Sequence, residues 1–125
     1  MRLLTLEQLL QLHTLAIQQT GGSAGLRDLG RLEAAIATQT QSVFGKELYE
    51  GPIDKAAALI RSIIADHPFT DGNKRTGMLA GLTFLKINDV NVHFFQGEIE
   101  DCAVDIAVKQ LDVTSVAQWL NQHAA

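Results

Sequence analysis

Residues 76–85, TGMLAGLTFL, contain no charged side chain. A helix that is apolar on nearly every face has no side to turn toward water, so other elements must cover it. We therefore expect a central, buried helix from residue 73 to about residue 88. Gly77 and Gly81 lie four residues apart on this helix, and each costs about 1 kcal/mol in a helix interior. Their spacing predicts that a second helix packs closely against this face.

Three further helices are predicted in the first half of the chain. Thr5 and Gln8 have the spacing of a capping box, which starts a helix over residues 5–19. Asp28 is suited to cap the second helix. Pro52 suits the first turn of the third, where its missing N–H has no partner to lose.

The rest of the chain adds a break and two helices. Residues 41–51, QSVFGKELYEG, interrupt the helical period and predict a loop or short hairpin. Helices are predicted over residues 98–110 and 115–123, with Ser115 as the cap of the last one. The pattern as a whole predicts an all-α fold: a single domain over residues 1–125, built as a compact helical bundle around the central buried helix.

Bulk composition excludes several classes of protein. A net charge of −4 argues against a broad nucleic-acid footprint, so no direct nucleic-acid partner is expected. No apolar run approaches the roughly 18–20 residues that a membrane span needs. The single cysteine, Cys102, excludes an intrachain disulfide and a cysteine metal cluster. We therefore expect a cytoplasmic protein in a reducing compartment.

The stretch HPFTDGNKRTG, residues 67–77, lies directly in front of the central helix and concentrates its charge. The first turn of a helix has unpaired N–H groups and partial positive charge, and so forms an anion site. Asn73, Lys74 and Arg75 lie on that turn. Gly72 lets an oxygen approach the backbone without meeting a Cβ. These residues are candidates for binding phosphate.

Two more side chains of this stretch suit phosphate transfer. Asp71 offers hard oxygen ligands for a Mg²⁺ ion shared with phosphates. His67 carries an imidazole, which can act as a general base near neutral pH. A base, a metal ligand and positive charge are the parts that phosphoryl transfer uses. Structural alternatives stay open: a helix end for His67, an N-cap for Asp71, a turn for Asn73, and a solvated surface pair for Lys74 and Arg75.

Other candidates are given structural interpretations. His13 lies on the apolar face of the first helix and is interpreted as a packed histidine. His93 and His123 have no partners at metal-ligand spacing. Cys102 is interpreted as a small core residue. Phe44 is either an ordinary packing residue or part of a loop that aligns a substrate.

HPFTDGNKR at residues 67–75 resembles the signature of the Fic/Doc (Fido) family, His-x-Phe-x-Asp/Glu-Gly-Asn-Gly/Lys-Arg. Weaker similarity lies in GLRDLGRLEAAIA, residues 25–37, and in FGKELYEGPIDKAAALI, residues 44–60. The chain looks most like the short Doc (death on curing) branch, whose members are toxins held by an antitoxin. The resemblance implies a Fic/Doc-type helical bundle with a short flap loop or hairpin.

The resemblance also implies roles for individual residues. His67 would deprotonate a hydroxyl of the target, Phe69 would anchor the loop in the core, and Asp71 would hold Mg²⁺. Residues 43–50 would form the flap that aligns the target segment. The positions implied for phosphate and nucleotide binding are Gly72, Asn73, Lys74 and Arg75.

Two departures from the AMP-transferring members bear on the reaction. Those members carry Gly at the position of Lys74 and a second Arg at the position of Met78. In the Doc branch this change accompanies a reversed nucleotide, so the implied activity is transfer of the γ-phosphate of ATP to a Ser or Thr hydroxyl. Gly72 is typical of the AMP-transferring members and keeps AMP transfer open. A further alternative is an inactive module that binds a partner helix.

The resemblance implies partners as well as chemistry. The family's self-inhibiting motif, Ser/Thr-x-x-x-Glu-Gly/Asn, is absent from this sequence. Restraint of the activity is therefore expected from another chain, an antitoxin whose helix fills an apolar groove. The implied cofactors are ATP and Mg²⁺, and the expected target class is a translation elongation factor.

Overall fold

The computed structural model describes residues 1–124. Over these residues the chain forms helices and one antiparallel hairpin, in this order: α1 (Leu6–Thr20), α2 (Leu29–Ala37), β1 (Ser42–Val43), β2 (Lys46–Glu47), α3 (Gly51–Asp66), α4 (Asn73–Ile87), α5 (Glu98–Lys109) and α6 (Val113–His123). The predicted all-α bundle with a short hairpin is confirmed. No helix of the described residues is long and apolar enough to cross a membrane.

Helices α3 and α4 pack against each other at the glycines of α4. A Cβ on Gly77 would lie 2.9 Å from Cγ1 of Ile64 and 3.2 Å from the carbonyl oxygen of Ile60. A Cβ on Gly81 would overlap the side chain of Ile60. Both isoleucines are fully buried. The close approach of a second helix to this face is therefore confirmed.

Replacing Gly81 by Ala should destabilise the fold. The added methyl group has no space against Ile60, and overpacking of a tight core typically costs about 1–3 kcal/mol. Chemical denaturation should show this loss in the free energy of unfolding. Gly30→Ala in α2 is the matched control, because its Cβ would meet only Oδ1 of Asp28, at 3.3 Å. Equal stability of the Gly81→Ala variant and the native protein would contradict the packing argument.

The helix caps confirm two predictions and correct one. Thr5 and Gln8 form the capping box of α1, with Gln8 N donating to Thr5 Oγ1 at 3.2 Å and Thr5 N to Gln8 Oε1 at 2.9 Å. Asp28 caps α2. The prediction for Ser115 was wrong: Asp112 is the cap of α6, and the backbone N of Ser115 donates to Asp112 Oδ1 at 2.9 Å. The last helix starts earlier than expected because the acidic side chain takes that role.

The hairpin is anchored beside the first turns of α3. Lys55 is buried, donates to the backbone carbonyl of Gln39 and lies 3.2 Å from Oε1 of Glu47 in β2. Lys55 precedes His67 by twelve residues, about 18 Å of helix. The role of residues 43–50 as the flap that aligns a target segment stays a prediction. A buried ammonium group holds this hairpin near the opposite end of α3.

The C-terminal helix is fixed by His123. Its Nδ1 lies 2.8 Å from the carbonyl oxygen of Trp119, and its Nε2 lies 2.7 Å from Oε2 of Glu98. The ring also stacks with Phe94, at 5.1 Å between centroids. Because both ring nitrogens face acceptors, the protonated form fits best. The hydrogen bond to Trp119 and that to Glu98 raise the pKa of His123, and the hydrogen bond to His123 lowers the pKa of Glu98.

This contact should make stability depend on pH. A raised pKa for His123 means that its contribution is complete below pH 6.5, the ordinary pKa, and is lost as pH rises through the raised value. Thermal denaturation of native protein and His123→Gln should therefore differ most near pH 6 and least at alkaline pH. The matched control, His93→Gln, changes an exposed histidine nearby. A difference that grows toward alkaline pH would contradict this assignment.

Candidate active site

Helix α3 ends at His67, which turns the chain toward α4. His67 adopts a left-handed conformation with φ 52°, and its N–H donates to Ile63 O. A non-glycine residue in this region is uncommon, and such strain concentrates at functional sites. Pro68 follows and prevents continuation of the helix. The turn leaves the imidazole of His67 exposed to solvent.

The ring of His67 is oriented by its own helix. Nδ1 lies 3.2 Å from the carbonyl oxygen of Ala65. A carbonyl oxygen only accepts hydrogen bonds, so this contact requires a hydrogen on Nδ1. In the neutral ring Nε2 then carries the lone pair. The geometry therefore suits His67 to act as a base at Nε2.

Helix α4 begins without a side-chain cap. Its N-cap is Gly72, in a left-handed conformation with φ 78°, and no side chain hydrogen-bonds to the first turn within the described residues. The N-cap interpretation of Asp71 was therefore wrong. The first-turn N–H groups of Asn73, Lys74 and Arg75 have no partner in their own helix. They form the kind of positively polarised helix start that binds anions.

Asn73 is buried and holds the loop closed. Its Oδ1 accepts from Phe69 N at 3.0 Å, and its Nδ2 donates to Phe69 O at 2.9 Å. Both polar groups of the side chain are thus engaged, which matches the turn interpretation. A phosphate contact by Asn73 stays a prediction, and it now depends on the backbone N–H.

Phe69 anchors the loop in the core, as the resemblance implied. It is 1% exposed and pairs with Leu26 in an isolated antiparallel bridge. Its ring stacks on His13 with centroids 3.8 Å apart and planes 5° apart. His13 is buried, as interpreted from the sequence, but its contact with this loop was not predicted. The only sequence signal was its place on the apolar face of α1.

The segment at residues 22–28 runs along the loop and was missed as part of the site. Arg27 N and Asp28 N donate to Pro68 O at 2.8 and 2.9 Å, and Thr70 N donates to Gly25 O at 2.9 Å. A Cβ at Gly25 would lie 2.8 Å from Thr70 Oγ1. This segment borders the charged stretch. Its glycines were the available signal, but they indicated only the end of α1 and a weak family similarity.

Asp71 and Arg75 make contacts outside their own loop and helix. Oδ2 of Asp71 accepts from the backbone N of Ser23 at 2.9 Å. Nη2 of Arg75 donates to Gln19 Oε1 at 2.8 Å, and its Nη1 lies 3.8 Å from Glu100 Oε1. Arg75 thus lies between α1 and α5.

Two cavities flank the loop. Lys74 and Arg75 line a cavity of about 370 Å³ between α4 and α5, whose other lining residues are mostly apolar. His67 lines a second cavity of about 310 Å³ beside α5. The structure therefore brings His67, Asp71 and Gly72 together in one short turn. The side chains of Lys74 and Arg75 border a neighbouring space.

The described residues hold no group of three or more His, Cys, Asp or Glu side chains that could bind a metal alone. Burial raises the pKa of the Cys102 thiol to about 12, which fits a core residue and not a ligand. Asp71 is a single exposed carboxylate. One carboxylate fits Mg²⁺ well, because this ion takes its other ligands from substrate phosphates and water.

The central helix of this bundle starts at an uncapped turn, and an exposed histidine precedes its N-cap by five residues. The model of the Fic/DOC family matches residues 3–85. The chain is 40% identical over 107 residues to "Toxin Doc" of Mycolicibacterium smegmatis, covering 84% of this chain and 82% of that protein. It is 34% identical over 122 residues to "Protein kinase doc" of Escherichia phage P1, covering 98% and 95%.

The chain therefore belongs to the Fic/DOC family, and these relatives place it in the Doc-like branch. The resemblance inferred from residues 67–75 is confirmed.

Proposed function

We propose that this protein is the toxin of a toxin–antitoxin pair and that it transfers the γ-phosphate of ATP to a Ser or Thr hydroxyl of a target protein. The observation that carries the proposal is that one short connection, residues 67–72, joins the oriented imidazole of His67 to the uncapped start of α4. The names of the relatives, Toxin Doc and Protein kinase doc, support the toxin and the kinase respectively. The target class implied by the resemblance is a translation elongation factor.

His67 performs the proton transfer in this proposal. Its Nε2 takes the hydroxyl proton of the target, because Nδ1 is held by Ala65 O. The hydroxyl oxygen would form the new bond to the γ-phosphorus while the bond from that phosphorus to the β,γ-bridging oxygen breaks and ADP leaves. ATP supplies the phosphoryl group when bound, and Mg²⁺ neutralises negative charge on the phosphates. Asp71 is the residue that would hold this ion. Its carboxylate is kept in place through Oδ2 by the backbone of Ser23.

The start of α4 binds the phosphates in this proposal. Gly72 leaves the approach to the backbone open, and the first-turn N–H groups donate to phosphate oxygens. Lys74 is exposed and adds a mobile positive charge. Arg75 adds a second charge after leaving Glu100. That ion pair is 3.8 Å long and partly exposed, so breaking it costs little.

AMP transfer is the second candidate, favoured by Gly72. Lys74 argues against it because a long side chain stands where the AMP-transferring members have Gly. Met78 is 2% exposed and occupies the position of their second Arg. A buried thioether cannot replace a guanidinium group in clamping a phosphate.

The antitoxin is proposed to act by placing a helix on this toxin. The cavity between α4 and α5 fits that role, since Met78, Leu79 and Leu82 line it and Lys74 lies beside them. Amphipathic helices bind such grooves through their apolar face. An antitoxin helix there would cover residues that lie next to the phosphate site.

Labelled ATP distinguishes the candidate reactions. With a translation elongation factor as target, label at the γ position should be transferred and label at the α position should not. His67→Ala should lower the rate about 10²–10⁴-fold, the usual contribution of a general base. His93→Ala changes an exposed histidine outside the site and should act like the native protein.

Two other outcomes would contradict the proposed kinase activity. Transfer of label from the α position would establish AMP transfer. No transfer from either position, with toxicity unchanged in His67→Ala, would leave a module that binds its target without chemistry.

Removal of the Lys74 charge should weaken nucleotide binding. Hydrogen bonds to charged groups contribute about 1.5–3 kcal/mol, so Lys74→Ala should raise the KM for ATP roughly tenfold or more. Lys86→Ala is the matched control, because Lys86 lies in the last turn of the same helix. Steady-state kinetics with varied ATP measures the effect. An equal KM in both variants would remove Lys74 from the phosphate site.

A further inference from the structure

His13 connects helix α1 to the loop at residues 67–72. It is 3% exposed, and its Nε2 lies 2.9 Å from the carbonyl oxygen of Asp71. Because a carbonyl oxygen only accepts, Nε2 carries the hydrogen and donates it. The same ring stacks on Phe69 at 3.8 Å. One side chain of α1 thus holds both the backbone of Asp71 and the aromatic anchor of the loop.

The rest of α1 and the segment after it complete this support. A Cβ at Gly72 would lie 3.0 Å from Cδ1 of Ile17 and 3.8 Å from His13, so α1 lies directly beneath the turn. Ser23 holds the Asp71 carboxylate from the other side. Asp71 is therefore fixed at two points, its carbonyl by His13 and its carboxylate by the backbone of Ser23.

Packing alone does not explain a histidine at position 13. A buried imidazole loses its hydration and needs a hydrogen bond in return, whereas Phe would fill the space and stack on Phe69 at no such cost. The partner of Nε2 is the carbonyl of Asp71, the residue that carries the exposed carboxylate. Active sites require their groups to be held within about 0.5 Å, which supporting hydrogen bonds provide.

We propose that His13 is a positioning residue: by donating to the Asp71 carbonyl and stacking on Phe69, it sets where the Asp71 carboxylate and the first-turn N–H groups of α4 lie. This inference rests on the proposed phosphotransferase function. It assigns His13 no contact with substrate. In this role, helix α1 positions residues of the site in addition to packing against the core.

Two substitutions separate the hydrogen bond from the stacking. His13→Phe keeps an aromatic ring on Phe69 and removes the donor. His13→Gln loses the ring and places an amide N–H near the former position of Nε2. Leu9→Ala is the matched control, because Leu9 is fully buried one turn earlier on the same helix and its truncation lowers stability through a cavity.

Amide hydrogen exchange tests the inference without any chemistry. In His13→Phe the loop amides of Phe69 and Thr70, which donate to Asn73 and Gly25, should exchange at least tenfold faster than in native protein. In His13→Gln they should stay near the native rate. In Leu9→Ala they should change no more than amides elsewhere in the core. Equal acceleration in His13→Phe and Leu9→Ala would overturn the inference.

Kinetics then test whether the position matters for the reaction. His13→Phe should lower kcat about tenfold or more and raise the Mg²⁺ concentration for half-maximal rate, with the KM for the target protein unchanged. His13→Gln should restore most of kcat. Faster exchange with native kcat would also overturn the inference, because the contact would then be only structural. Absence of phosphotransfer by the native protein would instead count against the proposed function.

Discussion

The contact between α3 and α4 determines the geometry of everything near His67. Ile60 and Ile64 fill the space that side chains at Gly77 and Gly81 would need. Two helices this close cannot be joined by a loose connection, because the end of one and the start of the other lie side by side. Two residues with positive φ, His67 and Gly72, make the reversal within residues 67–72. The exposed imidazole and the N-cap glycine of α4 both lie on this short connection.

The loop is rigid because its polar groups are satisfied from several directions. Asn73 bonds to both backbone groups of Phe69, and the carbonyl of Pro68 accepts from two amides of the preceding segment. His13 adds its bond to Asp71 from below. Buried polar groups that are fully paired specify one conformation.

The sequence predicted features that depend on neighbours within one helical turn. Local spacing was enough to predict the capping box at Thr5, the cap at Asp28 and the close packing at the paired glycines of the central helix. It was also enough to predict the helices of an all-α fold. The order of residues 67–75 was enough to indicate the family, which the comparisons confirm, while the roles of these residues stay a prediction. Errors arose between close competitors, as when Asp112 and not Ser115 capped the last helix. Their side chains have similar capping chemistry, and only the path of the chain decides between them.

Features that depend on distant contacts could not be predicted in this way. The contact of Lys55 in α3 with Glu47 in the hairpin joins two different elements, and no periodicity within either element indicated it. The contact of His13 with Asp71 spans 58 positions, and that of Ser23 with Asp71 spans 48. No periodicity within α1 shows which loop its buried face will meet.

Because the site is exposed, water can compete with the target hydroxyl for the bound nucleotide. His67 and Asp71 are both open to solvent, and a base beside a bound triphosphate could activate water as readily as a hydroxyl. Enzymes prevent this by closing the site around the substrate. Here the imidazole of His67 stays exposed, although the segment at residues 22–28 runs along the loop. Under the proposed function, the target protein itself has to cover His67, which would restrict transfer to a partner that docks closely enough to exclude water.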